Sequence, residues 1–319
     1  MASTLTPTAT PIAPAPQASP SAPTTQPRKH PIRRLAFVVL RVLLITWVCW
    51  IGYLYFFQER LLFPAGLTKR TGQARLPRNA ELLTIPLQSG GVVEAFLVKP
   101  RGDPPPGVGG WPAAVFFHGN AESIDDSLGH AELYTALGFA CLLPEYRGYG
   151  RSAGSPSQAA IATDMARFHD LLIARPDIDA SRLLYHGRSV GGAIAADLAR
   201  TRPPAAMVLE STFTSVSSFC WRYGVPPILC RNPFRTDQAL CDLDIPILIF
   251  HGTEDTLVPP AHGRSLRDLC KKATLVELPG DHNTFPGDWT RYEREVETFA
   301  RTLLPHSGQG EPSARPSRE

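Results

Sequence analysis

Gly187-x-Ser189-x-Gly191 is the stretch of this chain best suited to doing chemistry. A short apolar run, Leu183-Leu184-Tyr185, leads into it, and Val190, Ile194, Ala195 and Leu198 follow at helical spacing. A serine on a sharp turn from strand to helix holds a strained backbone, and side chains two residues to either side would collide with both elements. Glycine removes those Cβ atoms and leaves the hydroxyl exposed, while the N–H groups at the helix start face any developing oxyanion. The pattern recurs at Gly150-Arg151-Ser152-Ala153-Gly154. There the preceding apolar run ends near Leu143, and Pro156 stands where a helix would begin. Ser152 therefore reads as a loop residue and Ser189 as the nucleophile.

A serine at neutral pH is a weak nucleophile and needs a base held by a third group. For a nucleophile on such an elbow the expected chain order is serine, acid, histidine. After the apolar run Ile247 to Phe250 comes His251-Gly252-Thr253-Glu254-Asp255, and Asp255 is the expected acid, with Glu254 the alternative. After Thr274 to Leu278 comes Pro279-Gly280-Asp281-His282-Asn283, which makes His282 the expected base. Asp281 adjoins that ring but is badly placed to orient it from a tight turn. Of the other histidines, His30 lies in the N-terminal tail, His130, His169 and His262 in expected helices, and His186 just before the elbow, supporting its turn. His118-Gly119-Asn120 ends a third apolar run. The backbone N–H of Asn120 and that of Val190, next to the nucleophile, are the expected oxyanion hole.

The elements that position these residues follow from hydrophobic period. Leu82 to Leu87 and Val92 to Val98 alternate as strands around a Ser89-Gly90-Gly91 turn. Ala113 to Phe117 is continuously apolar, as a strand buried on both faces would be. From there helices are expected at 127–137, 158–174, 262–271 and 289–304, alternating with strands at 139–143, 183–187, 206–209, 247–250 and 274–278. Such alternation predicts an α/β fold with a mainly parallel central sheet flanked by helices, here over residues 79–304. Residues 211–244 break the rhythm with Phe, Trp, Pro and Cys, and read as a short cap-like insertion over a binding cleft.

Leu35 to Phe57 is a near-continuous apolar run of 23 residues, long enough to cross a bilayer as a helix. Trp47, Trp50, Tyr53 and Tyr55 gather at its far end like an interfacial belt, and the run has no small-residue cleavage site of a signal peptide. Arg28, Lys29, Arg33 and Arg34 precede it, which predicts a cytoplasmic N-terminus and an extracytoplasmic catalytic domain. Residues 1–34 form an expected disordered, basic, Pro/Ala/Thr-rich tail, 58–78 a connector and 305–319 a flexible tail. The formal charge is +3. Four unopposed positive charges lie in residues 1–34, so the remainder is nearly neutral and nucleic-acid binding finds no support. The six cysteines contain no C-x-x-C pair and no zinc-ligand spacing, and neither a metal nor a cofactor is expected. Cys141 reads as inert core packing. For Cys220, Cys230 and Cys241, in one irregular region, a disulfide and unpaired thiols are both open.

Phe117-His118-Gly119-Asn120-Ala121, Glu145-Tyr146-Arg147-Gly148-Tyr149-Gly150, the Ser189 elbow, Gly252-x-x-Asp255-x-x-Val258-Pro259 and Gly280-x-His282-Asn283 occur in that order. Over roughly residues 60–304 the chain resembles the membrane-anchored α/β-hydrolases of the bud-emergence-protein type. The resemblance implies one N-terminal span, a compact hydrolase domain, and cleavage of acyl esters or thioesters in lipids, small molecules or acylated proteins. Glu145 departs from the aspartate the resemblance leads one to expect. Two other functions compete: a serine peptidase of the same fold, and a catalytically silent membrane-bound interaction protein. The second would be free to lose Ser189, Asp255 or His282.

Overall fold

The computed structural model describes residues 31–74, 76–104 and 109–304. The expected disorder of residues 1–27, the basic residues Arg28 and Lys29, and the tail at 305–319 lie outside the described residues. One unit of the chain ends at Cys49 and a second begins at Trp50, and helix α1 (Pro31–Leu62) contributes to both. In the first unit residues 32–49 expose every side chain. By length and composition α1 is able to cross a membrane. It is longer at both ends than the run 35–57, so the expected connector begins as helix.

In the second unit the sheet has eight strands: β1 (Ala80–Pro86), β2 (Val92–Val98), β3 (Trp111–Phe117), β4 (Ala140–Pro144), β5 (Ile178–Arg188), β6 (Ala206–Glu210), β7 (Ile247–Gly252) and β8 (Ala273–Leu278). Their spatial order is β1-β2-β4-β3-β5-β6-β7-β8. The hairpin β1–β2 and the β2–β4 pair are antiparallel, and the rest of the sheet is parallel. Between the strands run α2 (Leu128–Ala136), α3 (Gln158–Ile173), α4 (Val190–Ala199), α5 (Thr236–Cys241), α6 (Ala261–Leu269) and, after β8, α7 (Trp289–Arg301).

Strand periodicity divides the core. Val115, Phe117, Tyr185, Met207, Leu209 and Ile249 pack on one face with α3, α4 and α6. Their neighbours Ala114, Phe116, Leu184, Val208 and Phe250 pack on the other with α2 and α7. β3, β6 and β7 are thus buried on both faces, which is why they read as continuous apolar runs rather than alternating ones. Each fully buried side chain of this size contributes about 1.5–3 kcal/mol of transfer free energy.

The sheet also sets where chemistry takes place. β3 and β5 are parallel neighbours, and the chain leaves them toward opposite sides of the sheet, β3 to β4 and β5 to β6. A crevice opens beyond the C-terminal ends of strands at such a reversal. Asn120 follows β3 and Ser189 follows β5 at that crevice, while Asp255 follows β7 and His282 follows β8 at the same sheet edge.

Candidate active site

Ser189 is the residue between β5 and α4, with φ 53° and ψ −119°. That backbone is unusual for a side chain with a Cβ, and the surroundings hold it. The Ser189 N–H donates to Glu210 O (2.7 Å), and its carbonyl accepts from Thr212 Oγ1 (2.7 Å) and from Gly192 N (3.0 Å). Gly191 lies so close to the end of β3 that a Cβ there would strike the carbonyl oxygens of Phe117 and His118. This close approach brings the start of α4 beside the His118-Gly119-Asn120 loop.

The three residues expected to work together are brought together. Ser189 Oγ lies 2.9 Å from His282 Nε2, and His282 Nδ1 donates to Asp255 Oδ2 at 2.7 Å. The other oxygen of Asp255 accepts the N–H groups of Leu257 (3.0 Å) and Val258 (2.8 Å), which fixes the carboxylate plane. Asp255 is buried, whereas Ser189 and His282 each keep 9% of their surface exposed, so the reacting end of the chain of bonds reaches the cleft. Asn120 and Val190 line that cleft with Ser189. Glu254 is exposed, and no bond joins its carboxylate to His282 among the described residues. Asp281 accepts from the N–H groups of Asn283 and Thr284 and so shapes the turn that presents His282. Ser152 is buried in its loop, where its Oγ accepts from Glu94 N (3.0 Å).

Behind the elbow lies a polar network that the sequence did not reveal. Arg188 donates to the carbonyl of His282 (3.1 Å), bonds Glu210 Oε1 (3.2 Å) and pairs with Glu122. Glu122 in turn accepts from Gly119 N (2.8 Å). One guanidinium thereby ties the elbow to the His282 loop and to the loop after β3. Glu210 is buried, which disfavours its charge, but the bond from His186 and the positive charge of Arg188 win and hold it down to about 2. Burial pulls the nearby His130 down to about 4, against the attraction of Glu210. His186 does support the turn: Tyr134 OH lies 2.9 Å from its Nδ1, and Glu210 3.3 Å from its Nε2. The signal in the sequence was an acid closing an otherwise apolar strand, Ala206-Met207-Val208-Leu209-Glu210. Glu145 bonds His118 Nε2 (2.8 Å) and accepts from Ile124 N (3.3 Å), and Gly150 leaves room for its longer side chain.

A cavity of about 480 Å³ opens above Ser189, within the usual range for small-molecule sites. Phe213, Val216, Phe219, Val225 and Leu229 line it from the segment after β6. This segment is two 3₁₀ turns, Val216–Tyr223 and Pro227–Leu229, followed by α5. The expected cap residues divide, however. Trp221 (66% exposed) and Ile228 (91% exposed) face outward and do not line the cavity. A 3₁₀ turn eclipses residues three apart, so its neighbours fall on different faces. Cys220 and Cys230 both reach the cavity as free thiols. The opposite wall was not foreseen: it is Leu54, Gln58, Leu61 and Leu62 of α1. Residues 58–70 are likewise packed in rather than a bare connector, with Phe63 buried against Phe234 and Arg70 N donating to Gly150 O (3.2 Å).

Comparison with known proteins agrees with this fold. The sequence profile of the family described as "Serine aminopeptidase, S33" matches residues 112–229, and that described as "Serine hydrolase (FSH1)" matches 187–287. The α/β-hydrolase domain-containing protein WAV2 of Arabidopsis thaliana is 33% identical over 191 residues, covering 53% of this chain and 62% of its own. Protein bem46 of Schizosaccharomyces pombe is 28% identical over 237 residues, covering 70% of this chain and 78% of its own. The chain spans just under two thirds of the length of the first curated relatives it matches, 62% and 64%. Among solved structures, acetyl xylan esterase 1 from Thermoanaerobacterium superposes with a TM-score of 0.58 at 17% identity, over 74% of this chain and 87% of the esterase, a likeness of fold. The chain has the α/β-hydrolase fold and counts a bud-emergence protein among its relatives, as its motifs implied.

Proposed function

We propose that this α/β-hydrolase is a membrane-anchored serine hydrolase that cleaves carboxylic ester or thioester bonds through an acyl-enzyme. The bonds linking Ser189, His282 and Asp255, 2.9 and 2.7 Å long, carry the reading. His282 Nε2 takes the proton as Ser189 Oγ attacks the acyl carbon, and Asp255 holds the ring with Nδ1 protonated and steadies the imidazolium. The N–H groups of Val190 and Asn120 receive the oxyanion, with the start of α4 adding its positive end. Collapse expels the alcohol or thiol, which takes the proton from His282. Water activated by the same ring then releases the acid.

The peptidase alternative is less well supported. An aminopeptidase needs an acid to hold the substrate amine, and among the described residues lining the cavity none is acidic. Glu122, nearby, is already paired with Arg188. The apolar lining favours an acyl chain over a peptide N-terminus. For membrane attachment the support is the length and composition of α1. Cleaving it off as a signal would also remove a wall of the cavity. Its basic flank, Arg28, Lys29, Arg33 and Arg34, favours an extracytoplasmic catalytic domain. The test is labelling of full-length protein in membranes with a fluorophosphonate probe. Wild type and Ser152→Ala take the label and Ser189→Ala does not; label that survives Ser189→Ala and is lost in Ser152→Ala overturns the assignment.

A further inference from the structure

We infer that the last turns of α1 are a working wall of the acyl site, and that this site takes one long acyl chain of a lipid ester directly from the bilayer. The inference rests on the hydrolase reading for the chemistry at the end of that chain, but not for the binding itself.

Leu54, Gln58 and Leu61 recur at helical spacing on one face, and that face lines the same cavity as Ser189. On a helix that serves only as an anchor, such a stripe would be spent on lipid. Here it is locked to the cap by polar bonds instead. Gln58 Nε2 donates to Leu229 O (3.2 Å), and Gln58 Oε1 accepts from Arg231 N (2.7 Å). Trp50 Nε1 donates to Tyr223 O (2.9 Å), and Arg231 pairs with Glu59 (3.1 Å). A glutamine amide with both ends satisfied by the cap backbone fixes the wall in register with the opposite one.

Apolar side chains next to the lining residues in sequence are exposed as well. Phe56, Trp221 and Ile228 are 76%, 66% and 91% exposed, and Leu61 is more than half exposed. Single exposed apolar residues are ordinary, but these flank the end of a helix fit to cross a membrane. Aromatic and apolar side chains with Arg60 and Arg222 beside them suit the interface, where rings sit among headgroups and arginines reach toward phosphate. The bilayer is therefore the surface that covers these side chains. A chain entering there passes from lipid to an apolar cavity without crossing water, and each methylene kept out of water on the way spares the entry rate about a fourfold factor. A polyhydroxylated or highly charged substrate would find few partners for its polar groups on these walls.

The test uses full-length protein in phosphatidylcholine vesicles with palmitic acid carrying a terminal diazirine. Photo-adducts are expected on the Leu54–Leu62 stretch and on the Phe219–Cys230 stretch, equally in wild type and Ser189→Ala. Leu61→Trp, which fills the cavity from the helix side, should cut the adducts at least tenfold and lower kcat/KM for 16-carbon esters at least tenfold more than for 4-carbon esters. A thermal unfolding midpoint like that of wild type, followed by circular dichroism, shows that this variant is folded. Adducts confined to other regions, or an equal loss for both esters, overturn the proposal. If an S-palmitoylated peptide displaces the probe better than a palmitoyl glycerolipid at equal membrane fraction, the lipid source is overturned. Adducts as expected in a wild type that takes no fluorophosphonate would leave the wall standing and remove the hydrolase reading.

Discussion

Ser189, His282 and Asp255 are held by short directional hydrogen bonds, whereas the cap, though tied to α1 by polar bonds, meets the cavity with mostly apolar side chains. On the sheet side, Ser189 N, its carbonyl and Asp255 Oδ1 have backbone or hydroxyl partners, Asp255 Oδ2 accepts from the His282 ring, and Arg188 joins three loops. On the cap side, Phe213 meets Phe219 edge-on at 5.8 Å, and Phe219 lies 5.1 Å from the His262 ring. Hydrogen bonds are directional and fail sharply when geometry changes. Apolar contact is graded and adapts. Under the proposed function the two regions therefore suit different tasks: one to hold reacting atoms in place, and the other to gauge how much chain is bound.

The largest effect that would separate them is expected from Asp255→Asn. The amide oxygen can still accept from Leu257 and Val258, but the NH₂ then faces His282 Nδ1 and forces the wrong tautomer. A loss in kcat of about 10⁴-fold is expected, for short and long esters alike, with the fold intact by circular dichroism. A loss confined to long chains would break the comparison.

A smaller effect concerns stability. Glu210 titrates near 2 in the fold instead of near 4.5, and His130 near 4 instead of near 6.5. Both are depressed, so in each case the unfolded chain binds protons that the folded chain refuses. Stability is then full above about pH 6.5. It falls with acidification, first through His130 between 6.5 and 4, then through Glu210 between 4.5 and 2. Each proton adds a slope of at most about 1.4 kcal/mol per pH unit. Melting temperatures across this range should fall less steeply between pH 6.5 and 4 in His130→Phe; an unchanged slope would remove His130 from the account.

The smallest effect belongs to the cap. Phe219→Ala should lower kcat/KM by several-fold more for long-chain than for short-chain soluble esters, each lost methylene contact counting for about 0.8 kcal/mol. Trp221→Ala, two residues away, should show no such chain-length trend, because its ring faces outward. A trend for Trp221 and none for Phe219 would reverse the lining.

Much of the reacting side was legible in the sequence because its signals are local. The flanking glycines around Ser189 answer to a positive φ and a backbone approach within a few residues. Runs such as Ala113 to Phe117 announce strands buried on both faces, and an acid or histidine just after such a run must sit at the sheet edge. That reasoning placed Asp255, His282 and Asn120 beside Ser189. It could not find Arg188, Glu122 and Glu210 as a group, since their meeting depends on how three loops fold over one another. Nor could it say that Gln58 bonds Leu229 and Arg231, more than 170 positions along the chain, or that Phe219 turns inward and Trp221 outward. In an aromatic-rich 3₁₀ segment without a clean period, the side that faces inward is decided by what packs against it. Here those partners are Phe213 and His262, brought there by the tertiary fold.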